Sequence, residues 1–254
     1  MKEFAAILVA GGSSQRMLGL MSRPKQFFKI KGYPLYIWCI SKILLSDIFR
    51  YAVIVVPDIY LNEITLDVEE YIKKLPIDSK SLKIFVTSGG ASRQASVYAG
   101  LSALKNALSE TECSELTVLI HDAARPFASN RLIKQCIESA ASQGRAMTAG
   151  LPVTDTIKQV DATGTICKTI DRSNLYSVQT PQAAPYNLLL SCHEAAIKDG
   201  VAVTDDAAIL EAYGHEVGIV TGDTYNIKLT IQEDFALSEQ MSTIYLPEHP
   251  WLNR

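Results

Sequence analysis

Five nearly continuous apolar runs alternate with segments of helical period in the first 153 residues, and few folds accommodate that pattern. The runs are residues 4–9, 52–56, 82–86, 117–121 and 146–153. Each has the length of a strand and lacks polar alternation, so each is expected to be buried on both faces. Residues 34–46 place Leu35, Trp38, Cys39, Lys42 and Leu45 at three-and-four spacing, which predicts a helix with Pro34 in its first turn. Residues 61–75, stopped by Pro76, and 92–108, with Val97, Leu101, Leu104 and Leu108 on one face, predict two more. Leu132, Ile133, Cys136, Ile137 and Ala140 mark a fourth. Such alternation predicts the α/β class, a mostly parallel sheet with helices on both faces. The 254 residues, 48% of them apolar, are enough for one such domain with a full core, read as 1–254.

The rhythm changes at Val153. Residues 156–160 and 165–170 alternate like strands around the turn Asp161-Ala-Thr-Gly164. A hairpin at about 153–174 is an excursion from a parallel domain, expected to serve as an arm for a lid or subunit contact, or else as a simple edge hairpin. Residues 186–198 return to helix, with Gly200 as its stop. Thr204-Asp205-Asp206 is expected to cap a short helix through Ala212, ended by Gly214, and residues 216–220 to form a late strand. Thr230-x-x-Glu233 has the form of a capping box for a last helix to about Met241. The tail from Tyr245 shows no periodicity.

In open α/β sheets ligands bind beyond the carboxyl ends of the strands. Three polar clusters fall there: Ala10-Gly11-Gly12 through Arg16, Gly89-Gly90, and Asp122-Ala123-Ala124-Arg125. A strand running into glycines brings backbone N–H groups close to a ligand. Arg16 and, in Pro24-Lys25-Gln26, Lys25 add two cations on the first loop. Glycine-rich backbone with Arg and Lys is the chemistry of a polyphosphate site. It is neither the Gly-Lys-[Ser/Thr] phosphate loop nor the GxGxxG dinucleotide fingerprint, which argues against a dehydrogenase. Asp122 is placed either as an Mg²⁺ ligand shared with phosphate oxygens or as the partner of Arg125 in a loop-closing salt bridge. His121 reads as structural. Gly90 with Arg93 and Ser96 suits an anion or base edge, or a plain strand-to-helix turn. Asp171-Arg172, Thr180-Pro181-Gln182 and Asn226-Ile-Lys228 suit a second anion site or ordinary surface turns.

Composition narrows the classes further. A net charge of −3 argues against a protein that coats nucleic acid. Five cysteines, an odd number with no CxxC pair, argue against a disulfide framework or zinc site. The apolar run 4–9 ahead of Gly11 is too short for a signal peptide, and no run approaches membrane-spanning length, so the cytoplasm is expected.

These motifs occur together in one order: Gly11-Gly12 to Arg16-Met17, Pro24-Lys25-Gln26, residues 121–126 (HDAARP), residues 152–158 (PVTDTIK), Asp171-Arg172, Thr180-Pro-Gln182, Thr204-Asp205 and residues 226–230 (NIKLT). In this the chain resembles the 2-C-methyl-D-erythritol 4-phosphate cytidylyltransferases over about residues 4–240, with the CDP-ribitol synthases as near relatives. The resemblance implies a Rossmann-like nucleotidyltransferase fold and a homodimer whose β-arm enters the partner's site. It implies CTP and a polyol phosphate as substrates and Mg²⁺ as cofactor. Carried over by residue, Arg16, Lys25 and Lys228 are expected to be catalytic. Ala10, Gly11, Gly12, Gly90, Arg93, Ser96, Asp122 and Ala123 are expected to bind nucleotide, with Asp122 also on the metal. Arg125, Thr156, Arg172, Thr180 and Lys228 are expected to meet the acceptor. Ser14 stands where the family usually has glycine, and Ala91 where it often has Asp, so a cytidine or ribose contact is expected to be lost or replaced there. Alternatives are a cytidylyltransferase for ribitol 5-phosphate or a similar polyol phosphate, and a non-catalytic nucleotide-binding regulator, which would be free to lose Arg16 or Lys25.

Overall fold

The computed structural model describes residues 3–11, 23–73 and 82–245, and gathers the apolar runs into one seven-stranded sheet. The first half runs β1 (Glu3–Val9), the small hairpin β2 (Lys29–Ile30) and β3 (Tyr33–Pro34), α1 (Leu35–Leu45), β4 (Tyr51–Val56), α2 (Leu61–Lys73) and β5 (Lys83–Ser88). It continues with α3 (Arg93–Ala107), α4 (Glu110–Glu115), β6 (Leu116–Asp122), α5 (Asn130–Gln143) and β7 (Ala146–Pro152). The second half adds β8 (Ile157–Val160), β9 (Ile166–Ile170), β10 (Tyr176–Pro185), α6 (Tyr186–Asp199), α7 (Asp206–Ala212), β11 (Val217–Thr221) and α8 (Gln232–Tyr245). The five apolar runs are all strands. Pro34 precedes α1 as its cap rather than lying in its first turn.

The sheet order is β11-β7-β10-β6-β1-β4-β5. Strand β1 pairs in parallel with β4 and β6, β4 with β5, and β7 with β11. Side chains of a strand alternate between faces, and both faces here are covered. Ala5, Ile7 and Val9 pack with Val97, Leu101 and Leu104 of α3 and Leu189 of α6. Ala6 packs with α5 residues such as Leu132 and Ile133, and Leu8 with Tyr36 of α1 and Ile64 of α2. Burying a side chain such as Ile7 contributes about 2 kcal/mol.

One central strand departs from the expected pattern. Strand β10 is antiparallel to both β6 and β7. Its register shifts between Gln179 and Gln182, and the cis Thr180–Pro181 peptide sits in that bulge. Proline has no N–H to give a ladder, so a bulge is where a central strand can hold one. Helix α4 is also additional to the expected elements; it is a single capping-box helix, with Ser109 and Glu112 bonded reciprocally. The last helix starts later than its motif suggests. Asp234, not Glu233, accepts the N–H groups of Thr230 (2.6 Å) and Ile231 (3.0 Å), and the helix continues past Met241 to Tyr245.

The hairpin forms as expected. Strands β8 and β9 pair antiparallel as a separate two-stranded sheet. Asp161 Oδ1 accepts the N–H groups of Thr163 and Thr165, and Gly164 takes a φ of +85° in the turn. The arm leaves the main sheet at Val153, whose N–H donates to Leu175 O at 2.9 Å.

Candidate active site

Strands β1 and β6 lie side by side, with Val9 opposite Asp122 at their carboxyl ends. The chain leaving each strand is pinned to its neighbour. Ala10 N–H donates to Val55 O (2.8 Å), Ala123 N–H to Val9 O (3.0 Å) and Gly89 N–H to Val56 O (2.7 Å). Above this edge an open cleft is lined by Val9, Ala10, Lys25, Gln26, Arg93, Asp122, Ala123, Ala124 and Lys228.

Asp122 is the charge centre of the cleft. Arg93 Nε donates to its Oδ1 at 2.9 Å, and Lys228 Nζ to its Oδ2 at 2.7 Å. Burial alone would raise its pKa, but the two cations override that and hold the carboxyl well below the usual range. Arg93 is shared with a second buried carboxylate, Asp206, whose Oδ2 lies 2.8 Å from Nη1 as a close ion pair rather than an aligned hydrogen bond. Burial would lower the Arg93 pKa; the two carboxylates raise it instead.

Lys25 follows Pro24 in a 3₁₀ turn, Lys25–Phe27. Phe27 anchors that turn, edge-on to Tyr36 and Tyr60 and stacked under the Arg23 guanidinium. Lys25 Nζ donates to Leu229 O at 3.1 Å, one residue from Lys228. The segment carrying Lys228 is fixed from below. Asn226, fully buried, donates from Nδ2 to Gln179 Oε1 (3.0 Å) and Thr180 O (2.8 Å), and Leu229 N–H donates to Ala124 O (2.9 Å). Two lysines distant in sequence thus reach one cleft. Gly11 and Gly89 flank Ser96 at the start of α3. A Cβ on either would fall 2.9 Å or 2.6 Å from Ser96 Oγ, so glycine is what lets the three segments close together. Ser96 Oγ donates to Ser92 O at 2.9 Å, and Gly90 O lies 3.4 Å away.

Arg125 does not line the cleft. Its Nη1 donates to Asn226 O at 2.7 Å, beneath the Lys228 segment, and not to Asp122. The loop-closing Asp122–Arg125 bridge is therefore replaced by Arg93 and Lys228 on the carboxylate. Thr180 is buried, accepting Asp122 N–H on its Oγ1 at 3.0 Å. Thr156 and Arg172 sit exposed on the arm, where Arg172 donates to Thr154 O. Gly12 and Arg16 lie outside the described residues.

His121 is structural, as the sequence suggests. Its Nε2 faces Arg125 O at 3.0 Å, and a carbonyl only accepts, so the proton is assigned to Nε2. Nδ1 then accepts from Thr180 Oγ1 at 3.1 Å. Burial pushes its pKa down from 6.5 to about 4. Between those values the unfolded chain binds a proton that the folded one does not, so this contribution is lost as pH falls. Acidification from pH 7 to 4.5 is expected to remove roughly 2–3 kcal/mol through this group. Urea unfolding at both pH values checks it. His121→Gln should start less stable and lose clearly less over the interval; an equal loss would refute the assignment.

Among the described residues no three His, Cys, Asp or Glu side chains stand together as a metal cage. Asp122 keeps a second lone pair on each oxygen beyond its cation contacts. One carboxylate of that kind fits Mg²⁺ held mainly by phosphate oxygens and water. Sequence reasoning does not single out Asp206 or His193 for the site. His193 is fully buried, with Nε2 3.3 Å from Asp206 Oδ1. The second acid after the Asp205 cap is the available signal.

Comparison with known proteins identifies the family. A family profile described as 2-C-methyl-D-erythritol 4-phosphate cytidylyltransferase matches residues 4–243. The protein of that name from Clostridium novyi (strain NT) is 38% identical over 241 residues, covering 95% of this chain and 97% of its own. A crystal structure of the Thermus thermophilus protein of the same name superposes with a TM-score of 0.71 at 27% identity, over 95% of this chain and 100% of its own. The synthase structure from Anaerococcus prevotii DSM 20548, 24% identical, shares the fold with a TM-score of 0.77 over 95% of this chain and 99% of its own. On the profile match and these identities, the chain belongs to the 2-C-methyl-D-erythritol 4-phosphate cytidylyltransferase family.

Proposed function

We propose that this protein transfers the cytidylyl group of CTP to 2-C-methyl-D-erythritol 4-phosphate, giving 4-diphosphocytidyl-2-C-methyl-D-erythritol and pyrophosphate for isoprenoid precursor synthesis. The observation that carries the reading is the cleft at the carboxyl edge of β1 and β6, where Arg93 and Lys228 hold one carboxylate and Lys25 lines the same cleft, in a chain of this family. The whole chain is read as a single nucleotidyltransferase domain working in the cytoplasm. No helix among the described residues is long and apolar enough to cross a membrane.

The nucleophile is a phosphate monoester oxygen, with a second pKa of about 6, and so is ionised at neutral pH. No base is required, and the cleft offers none among its described residues: Asp122, its one carboxylate, is held ionised by two cations and is a poor proton acceptor. The difficulty is bringing a dianion to a tetra-anion. Lys25 and Lys228, with Arg16 further along the chain from β1, supply the fixed positive charge that offsets this repulsion and the charge on departing pyrophosphate. Gly11, Gly12, Gly90, Ser96 and Ala123 supply backbone and hydroxyl contacts to the nucleotide. Mg²⁺ on Asp122 would neutralise further phosphate charge.

Asp122 N–H and the backbone of Arg125 are held by Thr180 and His121, so both motif residues shape the acceptor side even though neither Arg125 nor Thr180 lines the cleft. The arm supports a homodimer. Val160 and Ile166 on it are 51% and 59% exposed, and a lone two-stranded hairpin is marginal in water. In the dimer, Thr156 and Arg172 reach the partner's acceptor site.

An acceptor panel tests the activity. With CTP, pyrophosphate release is expected with methylerythritol 4-phosphate and far less with ribitol 5-phosphate; the reverse preference would move the assignment to the polyol relatives. CTP binding without release on any acceptor would favour a regulator. Mixing Arg172→Ala with Lys25→Ala subunits tests the arm. Half the dimers are then mixed, each with one intact site of two, so recovery of about a quarter of wild-type activity is expected. No recovery on subunit exchange would place Arg172 in its own subunit's site.

A further inference from the structure

Arg93 meets Asp122 through one nitrogen only, and that is the less usual geometry. A guanidinium and a carboxylate favour a two-pronged pairing, fork against fork. The prong that would pair with Nε in such a fork is Nη2, and it is buried here without a hydrogen-bond partner. Nε donates to Asp122 Oδ1 at 2.9 Å, while Nη1 lies 2.8 Å from Oδ2 of Asp206. The consequence falls on the other Asp122 oxygen. Oδ2 is left to Lys228, which reaches it at 2.7 Å.

The place of Asp206 is itself built. It opens α7 next to the cap Asp205, whose Oδ1 accepts Ala208 N–H at 3.0 Å. Gln182 of β10 fastens the same turn from the sheet. Its Oε1 accepts the N–H groups of Asp206 and Ala207, both at 3.0 Å, and its Nε2 donates to Asp205 Oδ2 at 2.8 Å. Three contacts from one side chain fix the backbone that carries Asp206. The carboxylate is completely buried, and the partners that face it are Arg93 and His193. A carboxylate is expensive to bury, so its pairing with a residue of the cleft calls for a role.

We propose that Asp206 is a positioning residue for the nucleotidyl transfer: by holding Nη1 of Arg93 it stops the guanidinium from pivoting about Nε to bring Nη2 onto Asp122, and so reserves Asp122 Oδ2 for Lys228. Without its charge, Arg93 closes as a fork over both oxygens of Asp122 and displaces the ammonium of Lys228. Asp206 touches no substrate; it acts through Arg93 and Asp122 on where Lys228 stands. The kinetic part rests on the reading of the cleft as a cytidylyltransferase site, whereas the effect on Lys228 does not.

The test uses Asp206→Asn, which keeps size and the α7 backbone contacts. In the ligand-free variant, crystallography should show Lys228 Nζ gone from Asp122 and Arg93 two-pronged on it. A retained Lys228–Asp122 contact overturns the inference, whatever the enzyme's substrates are. With activity scaled to the folded fraction by circular dichroism, kcat/KM for the acceptor phosphate should fall at least about tenfold, as expected for coupled charges. In a Lys228→Ala background the same change should cost less than about twofold, because its target is already gone. Independent, multiplying losses overturn the inference, as does an unchanged kcat/KM. Should Asp206→Asn not fold, Arg93→Lys replaces it. An ammonium cannot hold two carboxylates in a fixed plane. The same loss and the same non-additivity with Lys228→Ala are then expected, and full additivity refutes the scheme. Absence of turnover in the wild type with every acceptor would remove the functional reading alone, leaving the position of Lys228 to decide.

Discussion

Lys25→Ala is expected to lower turnover by at least about 100-fold, equivalent to roughly 2.7 kcal/mol of transition-state stabilisation, with the fold intact. The fold should survive because the anchor of this segment is Phe27, not Lys25. Phe27 carries the packing against Tyr36 and Tyr60, while the Lys25 side chain crosses to Leu229 O at the cleft. The loss should appear chiefly in kcat, since a charge that meets developing pyrophosphate is worth more in the transition state than in the ground state. Pyrophosphate release under saturating CTP and acceptor, alongside a urea melt, checks both halves. Near-normal turnover would remove Lys25 from the chemistry. A collapse of stability with it would show a structural role instead.

Much of the fold can be read from residues alone, for a physical reason. Strands such as 52–56 and 117–121 are covered on both faces, so they are almost wholly apolar and cannot be confused with surface loops. Strand β10 fails that test. Gln179, Thr180 and Gln182 are polar because they face buried partners rather than solvent, and Pro181 occupies a bulge. A central strand built from such residues looks like a loop until its neighbours are known. The capping boundary of α8 slips by one residue because an acid stands at both 233 and 234 and spacing alone does not choose between them.

The site divides in the same way. Lys25, Asp122 and Arg93 stand out because glycines and strand ends surround them. Asn226 and Lys228 stand out only as a motif; their placement depends on contacts more than 40 residues away in sequence, to Gln179, Thr180 and Asp122. Asp206 reads as helix-cap chemistry, since an acid in a first turn is ordinary there. Nothing local distinguishes a first-turn acid that faces water from one that holds an arginine at a distant strand end.

The largest combined effect is expected at Asp122. Asp122→Asn removes the charge that two cations share, and an amide offers one acceptor where the carboxylate offers two oxygens. Arg93 retains Asp206, but Lys228, partly exposed, loses its carboxylate and turns to solvent. Breaking a buried pair from one side costs about 3–5 kcal/mol, and the exposure of Lys228 puts this case near the lower figure. Turnover is expected to fall by roughly 1,000-fold, because the variant disturbs Lys228 and the carboxylate that would hold Mg²⁺ at once. The pH response separates the causes. In the wild type the depressed pKa of Asp122 contributes stability that is full above the ordinary Asp value of 3.8 and is lost as pH falls below it. The variant has no such group, so the stability gap between the two proteins should narrow steadily below pH 3.8. A gap that stays constant down to pH 2, or turnover within tenfold of wild type, would mean that Asp122 is not the charge around which the cleft is built.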